Sequence, residues 1–301
     1  MASPSAESVE DAESVGAVAA VEAVDTGWRP GLVALDIDGT LLKWVEGAGQ
    51  TYEVIPARVH DAVHRAFDAG AHIVLASGRS PHGMTRIADL LHLPREGADR
   101  LWVVASNGAV VFRYAPVEIV HEEKFDAAPA VHAVLQHHPS ARVAIEERGR
   151  GYRVSKPFPH GELSGVQFIT SVHQMVAEPV SRVIIRDPEA TVEDFVELAA
   201  RLGLHGTDYV VGWTAWLDLA PVGVSKASGL EHVIGELALT AADVLAIGDG
   251  RNDIEMLQWA GRGVAMGQAV EEVHAAADAS TETVYDDGAA VEIDRWFPPA
   301  P

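Results

Sequence analysis

Three short runs of this 301-residue chain are apolar at every position, and each stops in a polar cluster. Leu32-Val33-Ala34-Leu35 meets Asp36-Ile37-Asp38-Gly39-Thr40. Ile73-Val74-Leu75-Ala76 meets Ser77-Gly78-Arg79, and Val244-Leu245-Ala246-Ile247 meets Gly248-Asp249-Gly250-Arg251-Asn252-Asp253. A strand without polar alternation has no face to offer water, so it belongs inside a sheet covered on both sides. Open parallel sheets of that kind bind ligands beyond the carboxyl ends of their strands. The three clusters are therefore predicted to meet along one edge of one sheet. There they supply carboxylates for a metal, a nucleophile, and backbone N–H groups for an anion.

The segments between the runs fit this reading. Pro56 suits the first position of a helix, Val59, Val63, Ala66 and Phe67 recur at helical spacing, and Gly70 suits its stop. Ser80-Pro81 caps a second helix with Ile87, Leu90 and Leu91 on its inner face. Leu101–Ala105 reads as another buried strand ending in Ser106-Asn107-Gly108. Such strand–helix alternation predicts an α/β chain with a parallel sheet. From about residue 113 to 212 the pattern changes. Short strands over 117–120, 142–146, 152–155 and 182–186 mix with helices near 128–137 and 191–202, and turn residues are dense. This reads as a separate α+β unit, a small sheet with helices on one face. Residues 216–219 are expected to return the chain to the first unit, with helices to follow near 226–237 and 252–260. The expected division is a flexible acidic tail over 1–27, a core made of 28–112 plus 213–297, and an inserted unit over 113–212.

Charge narrows the partners. The net charge of −22 argues against nucleic acid and anionic membrane, which both reward positive charge. A small anionic ligand stays open, because a local site can be positive on an acidic protein. No cysteine is present, which excludes a disulfide framework, a thiolate nucleophile and Cys-ligated zinc. The first 27 residues lack the basic start and apolar stretch of a signal peptide, and no run is long enough to span a bilayer, so the cytoplasm is the expected compartment.

Asp36 and Asp38 lie two apart where the first run ends. Carboxylates this close repel unless a cation or a proton lies between them. One reading is a Mg2+ site, since that ion takes oxygen ligands and keeps waters for a phosphate to displace. One carboxylate can then attack phosphorus while the other moves protons. A plain Asp-Gly turn fits the same residues. Asp249 and Asp253 add two carboxylates after another strand, Gly250 lets the backbone pass close to a metal, and Asn252 offers an amide donor. A turn with Asp253 favouring a helix start also fits. Ser77 and Gly78 suit an anion, or an ordinary strand-to-helix loop. Lys226 stands out in a chain with four lysines among its 22 basic residues. A lysine at a helix start opposes the helix dipole, which fits an ammonium serving a phosphate and a carboxylate, although a solvated surface lysine fits too.

Taken in order, Asp36-Ile37-Asp38-Gly39-Thr40, Ser77-Gly78-Arg79, Lys226 and Gly248-Asp249-Gly250-Arg251-Asn252-Asp253 resemble the four motifs of the haloacid dehalogenase-like phosphatases. Ser106-Asn107-Gly108-Ala109, Gly223-Val224-Ser225-Lys226 and Val264-Ala265-Met266-Gly267 are similar to the Cof-type branch. The resemblance runs from about Leu32 to Gly288. It implies a doubly wound, Rossmann-like core with an inserted α+β cap. It implies Asp36 as nucleophile and metal ligand, and Asp38 as general acid/base with its backbone carbonyl on Mg2+. Asp249 would complete the metal shell, and Asp253 would act through water or orient its neighbours. Ser77, Gly78 and Asn252 would hold the phosphoryl group, and Lys226 would neutralise it. The implied reaction is Mg2+-dependent hydrolysis of a small phosphorylated metabolite, with a sugar phosphate first in mind, through an aspartyl-phosphate. A phosphomutase or phosphotransferase, or a non-catalytic phosphate-binding protein, uses the same motifs.

Two features depart from the branch: a short middle unit, and a 281–288 segment without its usual asparagine. Trp44 is a possible lining of the site mouth. Arg148, Arg150 and Tyr152 read as a surface turn, with substrate contact as the alternative.

Overall fold

The computed structural model describes residues 27–45, 50–95, 97, 99–147, 150–159, 161–202, 207–211 and 216–300. The tail expected over 1–27 falls, but for Gly27, outside the described residues, as does Arg148. One sheet carries, in spatial order, Ala279–Ser280, Arg262–Ala265, Val244–Gly248, Leu32–Leu35, His72–Ala76, Leu101–Ala105, Val110–Tyr114 and Glu118–Glu122. The strand pairs from Ala279–Ser280 to Leu101–Ala105 are parallel, and the last two pairs are antiparallel. Leu32 is in register with Val244 on one side and His72 on the other. The apolar runs thus lie side by side at the centre of the sheet, and their polar ends share one edge.

Both faces of this sheet are covered, which is why the runs need no polar residue. Val33, Leu35, Ile73, Leu75 and Ile247 pack on one face with the helices Ala57–Asp68, Pro81–Leu90 and Gly288–Trp296. Leu32, Ala34, Val74 and Ala246 pack on the other with Leu230 and Val233 of Lys226–Leu237 and with Met256 and Leu257. Ser80 caps Pro81–Leu90 as expected, its Oγ accepting from the Gly83 N–H at 3.4 Å. Buried Ile87 and Leu91 face the core, while Leu90 is only half-buried.

The second sheet runs Val166–Ile169, Gly151–Val154, Arg142–Glu147, Val183–Arg186, Trp216–Pro221 and Thr207–Val211. The helices Ala128–His137 and Val192–Leu202 cover one face, where Val131, Val134, Val143, Ile185, Phe195, Leu217 and Leu219 form a separate core. Two strands here, Val166–Ile169 and Thr207–Val211, carry no pattern that the sequence reading picked out.

The joins between the sheets differ from expectation. The strand expected over 117–120 is Glu118–Glu122, and it extends the first sheet by pairing with Val110–Tyr114. A tight hairpin returns the chain to the strand it has just left, whatever its composition. Conversely, 216–219 does not return the chain to the first sheet. Trp216–Pro221 lies between Val183–Arg186 and Thr207–Val211 in the second. Its burial alternates residue by residue, the signature of an antiparallel strand with one covered face, unlike the unbroken burial of the central runs.

Candidate active site

The edge predicted from the sequence gathers its residues. Asp36 follows Leu32–Leu35 into the interior and is 4% exposed. Asp249 and Asp253 follow Val244–Gly248 on the neighbouring strand. Oxygens of Asp36, Asp249 and Asp253 lie within 4.8 Å of one another. Lys226 enters from the first turn of its helix, fully buried, and its Nζ donates to Asp36 Oδ1 at 2.6 Å and to Asp253 Oδ1 at 2.6 Å. The helix start is fixed by Ser225, whose hydroxyl accepts from the Ser228 N–H at 3.3 Å.

Each carboxylate is held differently. Asp253 Oδ2 accepts the N–H groups of Asp249 at 3.1 Å and Gly250 at 2.9 Å, so with Lys226 it has three donors. Asp249 Oδ2 accepts from Gln268 Nε2 at 3.1 Å, and the Trp44 indole also bonds this carboxyl. Trp44 is thus part of the site wall. Gly39, at φ +87°, leaves room for both groups: a Cβ there would lie 2.0 Å from Asp249 Oδ2 and 2.6 Å from Trp44 Nε1. Burial first, then repulsion from Asp253, pushes Asp249 up to about 6. Burial likewise raises Asp36 well above the usual carboxylate range, against the pull of Lys226. The two carboxylates hold the Lys226 ammonium protonated in spite of its burial.

Asp38 stands apart from this trio. Arg79 grips it through two bonds, Nε to Oδ2 at 2.8 Å and Nη2 to Oδ1 at 2.5 Å. Ser77 is buried, and its Oγ accepts the Arg79 N–H at 3.2 Å. Beside Gly78 stands Asn107, whose Oδ1 is 3.0 Å from where a Cβ on that glycine would lie. Asn107 Oδ1 also accepts from Asn252 Nδ2 at 3.0 Å, and its N–H donates to Ser77 O at 3.1 Å. Arg79, Asn107 and Gln268 therefore belong to the site without having been singled out. Arg79 and Asn107 lie within recognised runs and Gln268 directly follows one, and that placement was the available signal.

The donor set suits a small hard cation. Three carboxylates converge, two of them with a raised affinity for protons, so each gains from a positive neighbour. Asp36 and Asp249 would supply direct oxygens. Asp253, already met by three donors, is placed to act through water or to hold the others.

A doubly wound sheet with paired acids at the ends of adjacent central strands, and a buried ammonium among them, suits phosphoryl-transfer chemistry. The chain belongs to the haloacid dehalogenase-like hydrolase family, whose model matches residues 33–293. It is 30% identical to a phosphoglycolate phosphatase of Natronomonas pharaonis, over 87% of this chain and 96% of the relative. It is 27% identical to the 5-amino-6-(5-phospho-D-ribitylamino)uracil phosphatase YcsE of Bacillus subtilis, over 88% and 95%. A haloacid dehalogenase-like hydrolase from Bacteroides thetaiotaomicron has the same fold, with a TM-score of 0.73 at 25% identity, covering 90% of this chain and all of that one. The protein is an enzyme of the phosphatase kind. Among the described residues no helix is long and apolar enough to cross a membrane.

Proposed function

We propose that the protein is a Mg2+-dependent phosphomonoesterase that hydrolyses a small phosphorylated metabolite, a sugar phosphate being the first candidate, through an aspartyl-phosphate on Asp36. The observation that carries this is the Lys226 ammonium, 2.6 Å from both Asp36 and Asp253 in a buried acidic cluster. Two relatives, named as phosphatases of different small phosphate esters, support the substrate size. Highly charged metabolites of this kind are retained inside cells, which supports a cytoplasmic enzyme.

In this reading Ser77, Gly78 and Asn252 bind the phosphoryl oxygens. An Asp36 carboxylate oxygen attacks phosphorus as the ester oxygen leaves. Asp38 gives that oxygen its proton, then takes one from the water that attacks the acyl phosphate, and Asp36 is released with inorganic phosphate. Lys226 offsets charge on the phosphoryl oxygens without rearrangement, because its two carboxylates already hold it in place. Bound Mg2+ would add positive charge at the same oxygens. The second sheet serves as the cap, shedding water from the site and meeting the leaving group.

Asp36→Asn should reduce phosphate release from a panel of metabolite phosphates to below a few per cent of wild type, with the circular dichroism spectrum intact. Chelation should stop wild-type turnover and Mg2+ should restore it. Residual activity above that level in the variant overturns Asp36 as nucleophile.

A further inference from the structure

The face of the second sheet turned away from its helices carries a buried charged group. Arg182 donates to Asp218 twice, Nε to Oδ1 at 2.6 Å and Nη2 to Oδ2 at 2.6 Å, and its Nη1 lies 3.4 Å from Glu146 Oε1. Glu146 in turn accepts from Ser106 Oγ, at 2.8 and 2.9 Å to its two oxygens. The Glu146 side chain is 11% exposed and that of Asp218 14%. Tyr152 and Ile184 flank the group on the same face.

This group abuts the phosphoryl cradle. Ser106 precedes Asn107, which bonds both Ser77 and Asn252. The Ser106 N–H donates to Arg79 O at 2.9 Å. Gly108 packs so closely under the Lys226 helix that a Cβ on it would meet Ser225 O at 1.9 Å. One turn of the first sheet thus touches the Ser77 loop, Asn252, the lysine helix and Glu146. The Ser106–Asn107 turn therefore joins the phosphoryl cradle to the wall that Glu146 belongs to.

The geometry points to Glu146 and Asp218 as specificity-determining residues that select the leaving group by charge, admitting neutral polyhydroxylated groups and rejecting those bearing a carboxylate or second phosphate. This rests on the phosphatase reading. The wall holds one guanidinium against two carboxylates, and the bidentate pair with Asp218 occupies that guanidinium. Among the described residues, the carboxylates of this wall outnumber its guanidinium, so a desolvated anion arriving here meets net negative charge. A hydroxyl suits the wall, because a carboxylate can only accept and a hydroxyl can donate. Ser106 already shows Glu146 accepting from one.

The test compares kcat/KM for glucose 6-phosphate with kcat/KM for phosphoglycolate in wild type, Glu146→Gln and Asp218→Asn, on one preparation of each. A ratio cancels the fraction of folded enzyme, so partial misfolding of a variant does not imitate the result. Wild type should favour the neutral leaving group, and each substitution should lower the ratio by about ten-fold, the effect of removing one like charge near the ligand in a partly buried site. A wild-type preference for phosphoglycolate overturns the inference, as does a ratio unmoved within two-fold in both variants. Wild type that hydrolyses neither ester nor p-nitrophenyl phosphate in the presence of Mg2+ overturns the phosphatase reading itself.

Discussion

At the scale of single residues, the site is a place where the fold holds charge against its preference. Asp36 and Asp249 are both raised by burial, Asp249 from the usual 3.8 to about 6. A carboxyl with a raised folded pKa keeps its proton in the native state over a range where the unfolded chain has lost it. Stability from Asp249 is therefore present below pH 3.8 and is lost as pH rises toward about 6, and Asp36 acts in the same direction. Metal-free protein should show this fall in its melting temperature, and Mg2+ should reverse it near neutrality, because the ion takes the place of the protons. Melting curves across pH with chelator and with Mg2+ measure both. Lys226→Met strands two buried carboxylates and should cost about 3–5 kcal/mol at pH 7. The cost should shrink as pH is lowered, because burial favours the protonated form of Asp36 and so relieves the stranded charge, and urea unfolding at pH 7 and at lower pH separates the cases.

At the scale of elements, the lysine helix depends on a close approach. A Cβ on Gly229 would lie 2.5 Å from Val104 Cγ1 and 3.0 Å from Gly108 Cα, so this glycine sets how deep the helix sits over Leu101–Ala105 and its turn. Gly229→Ala should cost about 1–3 kcal/mol through overpacking. It should also lower kcat, since Lys226 rides on the same helix; thermal unfolding and steady-state rates check the two parts. The central strands were legible because burial on both faces erases every polar position, a pattern few other structures demand. The convergence of Asp36, Asp249 and Asp253 was legible for a related reason: parallel strands send their ends to one edge, whereas Lys226 reaches that edge from a helix start and was marked by its rarity in an arginine-rich chain. Trp216–Pro221 was misplaced because a half-buried strand says only that one face is covered, not by which unit. The Arg79–Asp38 pair and the Ser106–Glu146 contact left no local trace, since each joins segments distant in the chain whose own patterns are complete without the partner.

At the scale of the whole molecule, the net charge of −22 weighs on a chain of 301 residues. Self-repulsion of this kind opposes the compact state and is screened by salt. Raising monovalent salt from about 0.02 to about 0.3 M, where the screening length shortens to several ångströms, should raise the melting temperature. A melting temperature that falls over this interval would show that local ion pairs outweigh the long-range field. The two sheets are tied by several contacts besides Ser106 and Glu146. Ser181 Oγ donates to Glu122 Oε1 at 2.8 Å, and Ser80 and Ser164 share a bond of 3.1 Å.

The chain makes its final crossing between those sheets over a very short stretch. It leaves the second at Pro221, turns through Gly223 at φ +75°, and reaches the Ser225 cap just before Lys226. Such a leash has little slack. Any shift of one slab over the other would therefore be felt first at the opening turn of the lysine helix, where the ammonium is seated.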